Sequence, residues 1–351
     1  MTIENKIAAF EKFWKGEGPS LILMPARKMA PYNTENYPEM FGNPRLMWES
    51  EMRWAEEYID WPTDGIPTVR PNLGVVFIPS MAGQEVQLPA GQMPWPGPHL
   101  DREALRRAEE VDITRSELMQ KAAGFYDIHK RSGREDVHAY HPDTQGVFDI
   151  SHILYGDDIF MKMNDDKDWI DELQQLSLSL YIRATQYIKE LNRESPTSMI
   201  HGHSSPQGAY FPHAGTRMAE DTATLLSPGM IERFILPSIE KGSAPFGGAF
   251  IHFCGHHLPL FKALCAMDCV KAIDLGNPEM YATRELLKIC AETDTVLYSR
   301  VAAEIGEDWR TYTLRISAMV RDTGARVILR PLAFGADRET CTEMRNLWHE
   351  R

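Results

Sequence analysis

No run in this chain approaches the roughly 20 consecutive apolar residues that crossing a bilayer requires, so a membrane-spanning helix is not expected. The opening MTIENKIAAFEKFWKGEGPS has no basic segment followed by an apolar stretch and a small-residue cleavage site. A cytoplasmic protein is the resulting expectation. Cysteine is scarce: 5 in 351 residues, all between Cys254 and Cys341, an odd number that argues against a disulfide framework. Positive charge is in deficit, with 37 Lys and Arg against 50 Asp and Glu and a formal charge of −13. That balance argues against unspecific binding to nucleic acid or anionic membrane, while leaving room for local arginines around a small anionic substrate. Neither G-x-G-x-x-G nor G-x-x-x-x-G-K-[ST] stands at a strand end, which removes the usual dinucleotide and P-loop readings.

What is present is apolar material in short, regularly interrupted pieces. Hydrophobic residues make up 43% of the chain, enough for a substantial core in one domain spanning 1–351. Ile3, Ile7, Phe10 and Phe13 line one face of a helix over 3–14, and SLILMPA is a first strand stopped at Pro25. Asn43 and Pro44 open a second helix through RLMWESEMRWAEEYI. Residues 61–98 are dense in Pro and Gly yet too apolar for a linker, and read as a pocket wall within an N-terminal extension of about 100 residues. Later, strand-like runs (TSMIHGH, GAFIHFCG, VKAIDLG, TVLYSRV, RVILRPL) alternate with helical patterns. Such alternation is the signature of βα units with buried parallel strands. The expected fold is α/β, a (β/α)8 TIM barrel whose N-terminal extension covers part of the pocket; a doubly wound sheet would give a similar pattern.

The densest chemistry lies in Ile251-His252-Phe253-Cys254-Gly255-His256-His257. On an extended strand His252 and Cys254 point to the same face, and imidazole with thiolate is a ligand pair suited to Zn²⁺. A buried thiol beside a hydrogen-bonded histidine is the plainer alternative. His201 and His203 repeat the two-residue spacing, and Glu220 and Asp221 precede a helix beginning near Ser227 and Pro228. Those carboxylates fit a general acid or base, metal ligands, or charges near a helix start.

The stretch AEDTATLLSPGMIERFILPSI followed by IHFCG resembles the signature of the uroporphyrinogen decarboxylase superfamily, as do FGNPRLMWESEMRWAEEYI, DGIPTVRPNLG and IDLGNPE. The resemblance covers nearly the whole chain and is nearest to the zinc-dependent methyltransferases of corrinoid systems. It implies a barrel with its pocket at the C-terminal strand ends, zinc on His252 and Cys254, a substrate thiol activated by the metal, and a small corrinoid-binding protein as partner. His201, His203 and His256 would then contact substrate or orient ligands, and Asp221 or Glu220 would manage protons or complete the ligand set. In that branch a third ligand is a cysteine in a glycine-rich turn after the last strand. Here the turn reads Arg330-Pro331-Leu332-Ala333-Phe334-Gly335.

Two rival functions follow from the same resemblance. A cofactor-independent decarboxylase would use Asp64 as the pocket aspartate, with Arg27 and Arg70 holding substrate carboxylates. A non-catalytic barrel binding a tetrapyrrole or another small molecule is the second.

Overall fold

The computed structural model describes residues 2–24, 37–89, 92–331 and 337–349. Its strands, in chain order, are β1 (Leu21–Leu23), β2 (Ile66–Val69), β3 (Val86–Gln87), β4 (Trp95–Pro96), β5 (His138–Ala139), β6 (Met199–His201), β7 (Gln207–Phe211), β8 (Thr216–Ala219), β9 (Ala249–Phe253), β10 (Val270–Leu275), β11 (Val296–Ser299) and β12 (Val327–Leu329). Six of them form a parallel sheet in the order β1-β12-β11-β10-β9-β8, which brings the first strand beside the last. Helices Leu258–Cys265, Thr283–Thr293 and Trp309–Thr323 make the crossovers between successive strands from β9 to β12. The crossover from β8 to β9 runs through Pro228–Met230, Ile231–Ile235 and Leu236–Ser243, the middle piece wound as π-helix. Pro237 lacks an N–H for the turn before it, a sufficient cause for the irregularity.

A second sheet, β5-β2-β7-β6, pairs β2 with β5 in parallel and carries β6 and β7 as an antiparallel hairpin. Among the described residues no ladder joins β1 to β2 or β5 to β8, so a closed eight-stranded barrel is not formed by backbone pairing. The finding is a mixed α/β fold with a six-stranded parallel sheet. The seam beside β8 is bridged by single bonds, Gly146 N to Ala219 O at 2.7 Å and Thr144 Oγ1 to Arg217 O at 2.9 Å. Gly146 is required there, because a Cβ would stand 2.2 Å from Glu220 Oε1.

TSMIHGH, expected as the strand of a βα unit, is instead the first arm of that hairpin. The reversal comes from His203 and Ser204, both left-handed at φ 45° and 57°. Two consecutive non-glycine residues in this region cost on the order of 1 kcal/mol or more each. Four hydrogen bonds hold them: His203 N to His201 Nδ1 (3.1 Å), Ser204 N to Tyr140 Oη (3.1 Å), Arg70 Nη2 to Ser204 Oγ (2.8 Å) and Arg330 Nη1 to His203 O (3.3 Å).

The face of the large sheet turned toward the hairpin is filled by Phe211, Phe250 and Tyr298, whose rings stand 4.8 Å (Phe211 to Phe250) and 5.1 Å (Phe250 to Tyr298) apart, with Ile22, Met24, Ala272, Val296 and Ile328 around them. Phe10 and Phe13 of the helix Ile3–Trp14 close this cluster from the N-terminal side, as their spacing in the sequence predicts. In the Pro/Gly-rich span Val76, Phe77 and Ile78 are fully buried, so it is packed wall and not linker.

Candidate functional site

Parallel register decides which side chains meet. Ala219 of β8 pairs with His252 of β9, His252 with Asp274 of β10, Asp274 with Tyr298 of β11, and Tyr298 with Ile328 of β12. Because side chains alternate along a strand, Phe250 and His252 share a face and Cys254 continues it just past the strand end. The Cys254 Sγ stands 3.4 Å from His252 Nε2. Gly276 makes room for it, since a Cβ at that position would meet the sulfur at 2.5 Å.

Asp221 enters from the loop after β8. Its Oδ1 accepts the Cys254 amide at 2.6 Å and lies 3.7 Å from His252 Nε2. Asp221, His252 and Cys254 therefore offer three ligand atoms within 4.8 Å of one another. Tetrahedral zinc with bonds of about 2.0–2.3 Å separates its ligand atoms by about 3.3–3.7 Å, and the separations from His252 Nε2, 3.4 Å to Cys254 Sγ and 3.7 Å to Asp221 Oδ1, fall in that range. A second group, His203, His252 and Asp274, also clusters, but its contacts are 2.6 Å (His252 Nδ1 to Asp274 Oδ2) and 2.9 Å (His203 Nε2 to Asp274 Oδ2). Those are hydrogen-bond lengths, shorter than the separation of ligand atoms on a tetrahedral zinc ion.

Electrostatics separate the acids. Burial raises Asp274, yet the two imidazoles that donate to it outweigh this and hold its carboxyl well below the ordinary range. His203 is pushed well below its usual value by burial, against the pull of Asp274, and burial followed by His141 and Arg217 does the same to His201. Both rings, His252 and His203, thus converge on one carboxylate oxygen. Burial and then the Asp221 charge push the Cys254 thiol up to about 12, against a weaker pull from Arg300, so its surroundings penalise a thiolate. A metal ion reverses that sign, because a coordinating thiol is deprotonated.

Behind Asp221, the amides of Asp221 and Thr222 donate to Asp149 at 2.8 and 2.9 Å. Burial and the Asp221 charge push Asp149 up to about 7, and burial with Asp149 pushes Glu220 well above its ordinary value. Glu220 is fully buried, so it is shut off from any substrate.

The remaining expected residues scatter. His201 lies at the end of β6, packed against His141 at 4.7 Å between ring centres, and acts on the turn through its Nδ1. Arg70 follows β2 and braces Ser204. His256 is exposed against Tyr281, 4.7 Å between rings. Asp64 does not join the cluster: it precedes β2, at the opposite end from Arg70, and pairs with Arg345 and His349 at 3.1 Å each. The decarboxylase assignment of Asp64 is corrected accordingly, since a carboxylate neutralised at the N-terminal strand ends cannot face this pocket. Arg27 and the turn 332–336 fall outside the described residues. Cys341 is buried on the helix Arg338–His349 and accepts from Trp61 Nε1 at 3.2 Å, away from His252.

Sequence reasoning missed Asp149, Asp274 and Arg300, whose Nη2 lies 3.8 Å from Asp274 Oδ2. A signal existed for Asp274: it is the one acid in the otherwise apolar strand end of VKAIDLG. A groove of about 460 Å³ lined by Trp14, His213, Asp268, Lys271 and Arg326 opens at the opposite, N-terminal strand ends. The candidate site is marked by its chemistry and by its place at the C-terminal strand ends.

No family model and no curated sequence matches the chain. Among solved structures it is similar to a methyltransferase from Methanosarcina mazei, with a TM-score of 0.69 and 14% identity over 100% of this chain and 99% of that one. At that identity the likeness establishes a shared fold.

Proposed function

We propose that this protein is a methyltransferase of the uroporphyrinogen decarboxylase superfamily, barrel-derived in architecture, that moves a methyl group between a corrinoid protein and a thiol with zinc at His252, Cys254 and Asp221. The observation that carries the reading is the spacing of these three ligand atoms at the C-terminal strand ends, on a fold shared over its whole length with a methyltransferase. Zinc in such a site supplies a lowered pKa to a bound thiol or water. Asp221 takes the place of the cysteine that the closing turn lacks, and one position of a tetrahedral set is left for substrate. Asp149 holds the Asp221 backbone in place through two amides. A thiol arriving at the exposed Cys254 side can lose its proton outward to solvent. Its sulfur then takes the methyl carbon, and the bonding pair remains with the carrier.

A macromolecular methyl carrier suits the rim. Leu225, Met280 and Ile305, on the loops after β8, β10 and β11, are 72%, 52% and 108% exposed. Decarboxylation is disfavoured by the position of Asp64, and a purely binding barrel leaves the matched ligand spacing without a use.

Metal stoichiometry tests the proposal. Purified without chelator and reconstituted with zinc, the wild type is expected to hold about one ion per chain and Cys254→Ala to lose it. A wild type that holds none overturns the zinc reading.

A further inference from the structure

Resting on that reading, we propose that Asp274 is a positioning residue, the carboxylate that sets the tautomer and ring orientation of His252 and His203 so that His252 Nε2 faces Cys254 and Asp221. Register puts Asp274 directly beside His252 on the neighbouring strand, and the next members of the same row, Tyr298 and Ile328, carry no acid. Its Oδ2 takes both imidazoles, His252 Nδ1 at 2.6 Å and His203 Nε2 at 2.9 Å. The contact occupies His252 Nδ1 and turns Nε2 outward, to 3.4 Å from Cys254 Sγ, so the expected tautomer carries its N–H on Nδ1. A metal-binding imidazole commonly has this arrangement, its second nitrogen donating to a carboxylate that raises its basicity.

Asp274 stands where a charge is unfavourable. It is fully buried, its Oδ1 has no hydrogen-bond partner, and the nearest cation is Arg300 at 3.8 Å. A carboxylate so placed costs stability relative to an apolar side chain of similar volume. The hairpin contributes the other half of the device. The left-handed turn at His203 carries that ring to 4.5 Å from the His252 ring, where it shares the carboxylate and closes the space behind it.

Two measurements test this, and they fail separately from the zinc reading. In the wild-type chain labelled with ¹⁵N-histidine, long-range ¹H–¹⁵N spectra are expected to show His252 as the Nδ1–H tautomer and His203 as the Nε2–H tautomer, with the His252 signal assigned through His252→Gln. The opposite tautomer at His252 overturns the inference whether or not metal binds. Asp274→Asn, checked for folding by circular dichroism, is expected to bind zinc about 10- to 100-fold more weakly in competition with a chromophoric chelator. It should also shift the absorption bands of the Co²⁺-substituted protein. If the asparagine variant does not fold, His203→Phe, which removes the ring N–H facing Asp274, is read the same way and is expected to loosen Co²⁺ and alter its bands to a smaller degree. Wild-type affinity and unchanged bands in a folded variant overturn the positioning role. A wild type without metal but with the expected tautomers overturns the zinc reading and leaves the role of Asp274 in orienting His252 standing.

Discussion

The two ends of the parallel strands treat charge differently. At the N-terminal ends, charges meet partners: Asp64 takes Arg345 and His349, and the buried Lys189 donates to Glu194 and to the carbonyls of Ser195 and Ser198, each at 2.9 Å. At the C-terminal ends they are left in incomplete sets, with Asp274 Oδ1 and Arg300 Nε buried without hydrogen bonds. Satisfied groups report stability, and an unsatisfied, convergent set reports a place for something else to bind.

The sharpest way to break this contrast is His252→Ala, which is expected to take bound zinc from about one ion per chain to near zero and methyl transfer to background, while unfolding by denaturant changes little. A partly stable but metal-loaded variant would place the site elsewhere. Phe250→Ala, one step below His252 on the same strand face, removes a ring stacked on Phe211 and set edge-on to Tyr298. It is expected to cost about 3–5 kcal/mol in urea unfolding.

Titration should distinguish the ends as well. Near Arg70, burial pushes Glu51 up to about 7, against the pull of Arg70. The folded state then holds a proton that the unfolded state releases near pH 4.5, so stability is expected to fall as pH rises from 4.5 through 7, by on the order of 3 kcal/mol. Near Lys189 the sign is opposite. Burial raises Glu194, but hydrogen bonds from His138 and the Lys189 charge bring it down to about 2. Its contribution is full above pH 4.5 and is lost as pH falls through 2. Denaturation midpoints against pH for Glu51→Gln and Glu194→Gln check both, and a glutamine at 51 that leaves the slope between pH 4.5 and 7 intact sinks the first assignment.

Asp64→Asn should cost about 1–3 kcal/mol by loosening Arg345 and His349, and leave zinc content unchanged. The smallest effect on stability is expected on the rim, where Leu225→Ser, Met280→Ser and Ile305→Ser each change it by less than about 0.5 kcal/mol. Their effect should instead appear as slower turnover with a protein-borne methyl carrier than with a free corrinoid.

Legibility from sequence followed the same division. The helix Ile3–Trp14, the helix Pro44–Glu56 with its Asn43 cap, and strands β9 to β12 are local patterns of period and punctuation, and they were readable as such. The shared face of His252 and Cys254 was readable because alternation along a strand is a local rule. The hairpin turn was not, since His203 and Ser204 carry no glycine signal and are held left-handed by Arg70, Tyr140 and Arg330, all distant in the chain.

Sequence by itself determined the alternation of strands and helices, the negative charge that disfavours nucleic acid, and the pairing of one imidazole with one thiol. Only the tertiary structure decided which acid stands behind that imidazole and which stands beside the thiol. Asp274 and Asp221 are separated from His252 by 22 and 31 residues, and inter-strand register, which no local pattern encodes, brings them to it.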